Sequence, residues 1–326
     1  MKAPAPFRPV SPAAGARAHA HLSNEAHFLS IAGTAGAMRD LFRLVEKAAA
    51  GTSAVLIEGE TGTGKELIAR AIHYHGPRRE RVFIAQNCAA LPEPLLESEL
   101  FGHVRGAFTG ALHSTRGLLA MADRGTVFLD EIVDCAPAVQ AKLLRFLQDG
   151  AVRPVGGTRE LALDVRIISA TNRRIEEEVA KGNFRKDLFY RLNVIPIRVP
   201  PLRERRGDIP RLASFFLSQY AERSGKRMEG FTREAMELLV AYEYPGNVRE
   251  LENEIARIVA LHPGDAAVAG PDLSEKIRRG RCGGRTPHPA PGTSLRSSLQ
   301  ALERELIARA LTECGGNISR AASSLG

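Results

Sequence analysis

The sequence predicts an α/β protein, a parallel sheet with helices on both faces, followed by an all-helical subdomain and a C-terminal helical segment. Three observations carry this. Between about Phe28 and His262 short apolar runs alternate with segments of helical periodicity, the rhythm of a sheet whose strands are buried on both sides. A glycine-rich GxxxxGK stretch joins one of those runs directly to a helix. Beyond Val199 the strand signal ends, and apolar residues keep only helical spacing.

Taken in order, residues 1–27 are rich in Ala and Pro, lack periodicity, and are expected to be an extended or disordered tail. Residues 28–199 form the α/β unit. Its strands are expected at Ala54–Ile57, Val82–Ala85, Thr126–Leu129, Val165–Ala170 and Val194–Val199, with helical spacing between them, as in Val139, Leu143, Leu144 and Leu147. Residues 200–262 read as the helical subdomain, with Ile209, Leu212 and Phe216 on one helix and Val248, Leu251, Ile255 and Ile258 on another. Residues 263–293 have the Gly, Pro and Arg content of a linker. In 294–326, Leu295, Leu299, Leu302, Leu306 and Ala310 mark an amphipathic helix that stops at Gly315 and Gly316, and Asn317 caps a further short one.

The 326 residues allow two or three such units. Hydrophobic residues make up 44% and charged residues 25%, the balance of a soluble globular chain and not of a fibrous or disordered one. The 45 Lys and Arg against 37 Asp and Glu leave +8, which favours a polyanionic partner. That excess is spread in nearly equal parts over the tail, the centre and the C-terminal end, so it marks no concentrated DNA-binding patch. No apolar stretch suggests a membrane span or a signal peptide. Cys88, Cys135, Cys282 and Cys314 form no CxxC pair, so neither a disulfide framework nor a zinc site is expected, and a reducing, cytoplasmic setting is.

The chemistry concentrates in two places. Gly59-Glu60-Thr61-Gly62-Thr63-Gly64-Lys65 follows a strand and opens a helix. Glycines in that context let backbone N–H groups wrap a phosphate at the helix N-terminus, and the lysine neutralises its charge. The hydroxyl residue that usually follows the lysine as a Mg²⁺ ligand is Glu66 here. Some sixty residues later the apolar run Thr126–Leu129 ends in Asp130 and Glu131. At the C-terminal edge of a parallel sheet these acids face the same crevice, where Asp130 suits Mg²⁺ and Glu131 suits an attacking water.

Residues 87–111, NCAALPEPLLESELFGHVRGAFTGA, resemble the central AAA+ P-loop domain of bacterial enhancer-binding proteins, the activators of sigma-54 RNA polymerase. Their signature loop is matched by Gly106-Ala107-Phe108-Thr109-Gly110-Ala111, and the resemblance extends over about 235 residues, 28–262. It implies an ATPase using Mg²⁺, with Gly59–Glu66 as Walker A and glutamate at position 66 ordinary for the family. It further implies that Asp130 and Glu131 are Walker B, that Asn87 restrains the catalytic glutamate, and that Asn172 is sensor I. Arg185 and Arg191 match arginine fingers that reach a neighbour's nucleotide, and Arg249 in Tyr244–Leu251 matches sensor II. A ring, expected to be a hexamer, follows from fingers acting in trans. The 106–111 loop is then the sigma-54 contact. Val104 stands where the family often has an acid, and Tyr244 where it often has Trp.

The C-terminal end resembles the Fis-type helix-turn-helix of the same activators through Ala301–Ile307 and Gly316–Gly326, which implies enhancer DNA as a partner if the motif is complete. The recognition helix would come after Gly326, so the motif is expected to be truncated here, through a shortened chain or gene or through loss of DNA recognition. The 27 residues before the ATPase region are too few for a receiver or ligand-sensing domain, so control is expected from a separate protein, from expression level or from a domain outside this chain. An alternative reading is a DNA-binding regulator that keeps the AAA+ domain as an oligomerisation scaffold without hydrolysis. A helicase or clamp loader would account for the phosphate loop but leave GAFTGA unexplained.

Overall fold

The computed structural model describes residues 36–280 and, beyond them, only Arg320. The expected tail 1–27 and the helix-turn-helix segment 294–326 therefore lie outside the described residues, Arg320 apart. After an opening helix, Gly36–Ala50, come five strands: β1 (Val55–Glu58), β2 (Phe83–Asn87), β3 (Thr126–Asp130), β4 (Arg166–Thr171) and β5 (Ile195–Arg198). They form one sheet in the order β2-β3-β4-β1-β5, and every pairing is parallel. All five match expected runs to within one or two residues.

The two-residue side-chain period of a strand builds a core on each face. Val55 and Ile57 of β1, Phe128 of β3 and Ile168 of β4 turn to one side, where they meet the helices Gly36–Ala50 and Lys65–Tyr74. Leu56, Val127, Leu129 and Ile167 turn to the other, against Glu93–Phe101, Pro137–Asp149 and Lys186–Leu192. The first of these cores does not stop at the sheet. Leu202, Ile209, Leu212, Phe216, Leu251 and Ile255 continue it into the helical subdomain, so sheet and lid share one apolar interior.

Two expectations need correcting. The subdomain after Val199 is not all-helical: Met228–Phe231 and Ala266–Val268 form a short parallel pair, with Phe231 opposite Val268. Strands of four and three residues are too short to show an alternation. Nor does the linker begin at residue 263. Residues 266–278 form a strand, a 3-10 turn and the short helix Glu275–Arg278, which bury Val268, Leu273 and Ile277 in the lid core. Glu254 accepts from the Ser274 backbone N–H at 2.7 Å, and Arg257 donates to the Asp272 carbonyl at 2.6 Å. Among the described residues of that stretch, 263–280, Gly264, Gly270 and Pro271 lie in turns between packed pieces, and residues 281–293 lie outside the described ones.

Because Ile277 is fully buried, truncating it leaves a cavity. Ile277→Ala is expected to lower stability by about 2–5 kcal/mol in urea unfolding, whereas a residue in a solvated linker would leave the midpoint unchanged.

Candidate functional site

The phosphate loop leaves the sheet at its C-terminal edge. β1 lies between β4 and β5, and its exit is fixed by Gly59 N–H donating to the Thr171 carbonyl at 3.2 Å and Val199 N–H donating to Glu58 at 2.8 Å. Gly62 and Gly64 take φ of 79° and 98°, the left-handed region that glycine enters without a Cβ penalty. At Gly62 the requirement is also steric, since a Cβ there would run into the Gly246 carbonyl of the lid. Thr63 Oγ1 donates to the Glu60 carbonyl at 2.7 Å and tightens the turn. Lys65 then starts a ten-residue helix, whose first amides have no acceptor within the helix and present a positive end.

Lys65 is 7% exposed. Its Nζ donates to the Gly59 carbonyl at 2.9 Å and lies 3.6 Å from Glu131 Oε1. Glu131 follows β3 in a left-handed conformation, φ 51°, a strained setting for a non-glycine residue of the kind found at functional sites. Its Oε2 accepts from the Asn172 backbone N–H at 3.0 Å, and Asn172 Nδ2 donates to Thr61 Oγ1 at 3.2 Å. Asp130 Oδ1 accepts from the Glu131 N–H at 3.1 Å. Burial pushes the Asp130 carboxyl above its ordinary value of 3.8, with Lys65 opposing and Glu66 adding to the rise. Glu66 itself is held by Arg70, one turn on, at 2.8 Å.

Thr61, Gly62, Gly64, Lys65, Glu66, Asp130 and Glu131 line a cavity of about 480 Å³ with Asn87 and Arg249, whereas Asn172 lines a second cavity with Gly59 and Glu60 and meets this site through its bond to Glu131. The fit to a phosphate-bearing nucleotide rests on its chemistry: a buried ammonium, a helix N-terminus and a carboxylate whose charge is costly without a cation nearby. Asp130, at the end of β3, is an acid that could hold Mg²⁺ there. Asn87 sits differently from expectation. Its Nδ2 reaches Asp130 Oδ2 at 3.5 Å and its Oδ1 accepts from the Ala89 N–H at 2.9 Å, so it touches Asp130 and not Glu131. Glu131 is held by Lys65 and Asn172.

Seven further lining residues were not read as site residues from the sequence: Leu67, Phe215, Phe216, Gln219, Arg223, Val248 and Glu252. Phe216, Gln219 and Arg223 follow one another at helical spacing along Ile209–Ser224, so the polar edge of the stripe that contains Phe216 was the available signal. Arg185 and Arg191 do not line this cavity. Arg185 makes a two-bond pair with Asp187, at 3.0 and 2.7 Å, and Arg191 lies beside an exposed Tyr190, Leu147 and Val194 on another surface.

The segment 106–111 projects from an antiparallel ribbon, Gly102–His103 with Thr115–Arg116. Gly106 and Gly110 are left-handed, at φ 80° and 103°, and the Gly106 N–H donates to the Ala111 carbonyl at 2.9 Å, closing the loop. Phe108 is 42% exposed and packs beside the His103 ring, 5.0 Å between centroids. The base leans on the neighbouring turn: Val104 N–H donates to the Val155 carbonyl at 3.1 Å, and the valine methyls face Gly156 and Gly157. An apolar contact therefore stands where an acid was the family expectation.

Gly62 and Gly106 share a left-handed backbone but differ in surroundings, since nothing lies within 4 Å of a Cβ at Gly106. Gly106→Ala is expected to cost only the backbone penalty of about 1–2 kcal/mol. Gly62→Ala should cost clearly more in the same urea titration, because it also drives the lid off the loop.

Among the described residues no helix is long and apolar enough to cross a membrane. The chain matches the sigma-54 interaction domain over residues 31–198, the AAA+ ATPase lid domain over 203–288, and the Fis family of bacterial regulatory proteins over 298–326. The lid match, like the packing, runs well past residue 263. The transcriptional regulatory protein ZraR of Klebsiella oxytoca is 48% identical over 295 residues, which is 90% of this chain and 65% of that protein. The nitrogen fixation protein AnfA of Azotobacter vinelandii is 45% identical over 297 residues, 91% of this chain and 55% of that protein. The chain thus spans between half and two thirds of the length of these curated relatives. The crystal structure of NtrX from Brucella abortus in complex with ATP superposes with a TM-score of 0.70 at 36% identity, covering 90% of this chain and 66% of that one. With this domain series, sheet order and loop, the chain belongs to the sigma-54-dependent transcriptional activators of the AAA+ family.

Proposed function

We propose that this chain binds ATP with Mg²⁺ in the Lys65 cavity, hydrolyses it within a ring of like subunits, and uses the Gly106–Ala111 loop to remodel sigma-54 RNA polymerase at a closed promoter complex. The observation that carries the reading is the convergence of Lys65, Asp130 and Glu131 on one cavity at the sheet edge, with Asn172 bonded to Glu131, while Arg185 and Arg191 stand elsewhere beside Tyr190. The complex of NtrX with ATP supports the choice of nucleotide. Enhancer DNA, taken through the Fis-type region, belongs to the same reading.

Lys65 and the first turn of its helix neutralise phosphate charge, and Arg249 of the lid adds to them from the opposite wall. Mg²⁺ on Asp130 would supply further neutralisation at the phosphate oxygens. Glu131, with one oxygen held by the Asn172 N–H, orients a water and draws on its proton. Arg185, always ionised, is free to exchange its exposed partner Asp187 for phosphoryl oxygens of an adjoining subunit. The loop carries Phe108 and Thr109 outward between two glycines, a geometry suited to moving an apolar contact against a protein partner.

Two experiments test this. Phosphate release should vanish in Lys65→Ala, whereas Thr109→Ala should keep that release yet form no open complexes on a sigma-54 promoter; open complexes at the wild-type level in Thr109→Ala would defeat the loop assignment. Arg185→Ala should lose at least about a hundredfold in turnover in the assembled protein, and mixing it with a Lys65→Ala subunit should restore part of the rate if the arginine acts in trans.

A further inference from the structure

The stretch Glu60–Thr63 is gripped from two sides, by the connector after β5 and by the lid. From the connector after β5, Arg203 Nη1 donates to Glu60 Oε2 at 2.7 Å and Nη2 to Oε1 at 2.5 Å, a two-bond fork. Two residues on, the buried Arg205 donates to the Thr63 carbonyl at 2.9 Å. From the lid, Asn247 Nδ2 donates to Glu60 Oε2 at 3.1 Å and to the Thr61 carbonyl at 3.0 Å, while its Oδ1 accepts from the Leu202 N–H at 2.8 Å. The Val248 and Arg249 N–H groups both donate to the Gly62 carbonyl, at 3.0 and 3.3 Å.

Asn247 is the hub. It is fully buried and left-handed, φ 52°, a conformation that asparagine tolerates better than most residues. It is the first residue of the lid helix Asn247–Leu261, and Arg249, two residues along, lines the cavity. Its three side-chain bonds join three pieces of chain: phosphate loop, connector and lid. Replacing it would leave the buried Leu202 N–H without its partner, a cost of about 1–3 kcal/mol, and would also remove the bond to the more open Thr61 carbonyl. The Arg203–Glu60 pair is more open to water, 40% and 42% exposed, so its value lies in direction more than in energy. The fork turns Glu60 so that the same oxygen meets Asn247, and the Arg203 guanidinium holds the Glu60 carboxyl below its usual range.

We propose that Arg203 and Asn247 are positioning residues that latch the lid helix to the phosphate loop through Glu60, setting Arg249 over the cavity before any nucleotide arrives. The proposal rests on the ATPase reading for its effect on turnover. The latch itself is a property of the nucleotide-free chain. Without it, the lid would be held by its apolar core and the two bonds to Gly62, and the direction of Arg249 would be loosely set.

The test uses the whole chain and four proteins: wild type, Glu60→Gln, Arg203→Gln and the double variant. Both single changes are at half-open positions and spare the core. Hydrogen exchange without nucleotide should show the Val248 and Arg249 amides opening about tenfold faster in each single variant, the size of coupling expected between touching groups. Amides of β1 and β3 should be unchanged. The double variant should lose no more than either single one. Asn247→Asp, which keeps the acceptor to Leu202 but puts a second carboxylate against Glu60, should open the same amides further. In phosphate release, the latch variants should lower kcat by about tenfold while KM moves far less. Wild-type exchange at Val248 and Arg249 in the single variants, or losses that add in the double one, overturn the latch. Absence of Lys65-dependent release in wild type would sink the ATPase reading instead and leave the exchange result to decide the latch alone.

Discussion

Everything at the candidate site is arranged around one buried ammonium. Lys65 is bonded to the carbonyl of Gly59 and lies within ion-pair distance of Glu131. That position draws together a loop leaving β1 and an acidic turn leaving β3, which are not neighbours in the sheet, because β4 separates them. Burying an ammonium is tolerable only where carbonyl and carboxylate oxygens compensate it. The compensation is incomplete by design of the fold: Glu131 lies at 3.6 Å, a long contact, and a group with phosphate chemistry would complete it. The same field explains Asp130. Its charge is disfavoured by burial and supported by Lys65, so the crevice holds opposite charges in a balance that a phosphate and a cation together would not disturb.

Much of this was legible in the sequence, for identifiable reasons. A glycine-rich loop with a terminal lysine has few structural uses between a strand and a helix, and the three central strands show as apolar runs because both of their faces are covered, while the edge strands Phe83–Asn87 and Ile195–Arg198 are only partly buried. The acidic pair at 130–131 was readable because it follows such a run. What failed to show had a physical cause in each case. The strands 228–231 and 266–268 are too short for an alternation to register, and residues 263–280 carry turn-forming composition although Leu273 and Ile277 are core residues. Gln219 and Arg223 belong to a helix whose pattern reveals its apolar stripe but not which polar edge meets a cavity. Asn87 was matched to Glu131 by family likeness, yet its amide meets Asp130, a distinction of a few ångströms that spacing cannot carry.

The two arginines illustrate a different limit. Arg185 and Arg191 carry charge that the cavity of their own subunit does not use, and both lie on a surface with an exposed tyrosine, 64% open. A sequence pattern names such residues as chemical groups, but it does not name the group each one meets. The projecting loop is similar. Phe108 is partly exposed beside the His103 ring, and the loop's base is anchored by backbone bonds and by the Val104 contact with Gly156 and Gly157. The loop is therefore rigid at its root and open at its tip.

The continuity of the apolar core between sheet and lid has a consequence for cooperativity. Phe128 and Ile168 under the sheet, Leu212 and Phe216 in the lid, and Val268 and Ile277 at its far side belong to one packed interior. Two lobes joined by polar contacts could melt separately, each at its own temperature. Here, detaching the lid would bare hydrocarbon on both sides of the break, at about 25 cal/mol for each Å² uncovered. Sheet and lid are thus coupled into a single melting unit, and any motion between them has to be a small slide within packed side chains and not an opening of the seam.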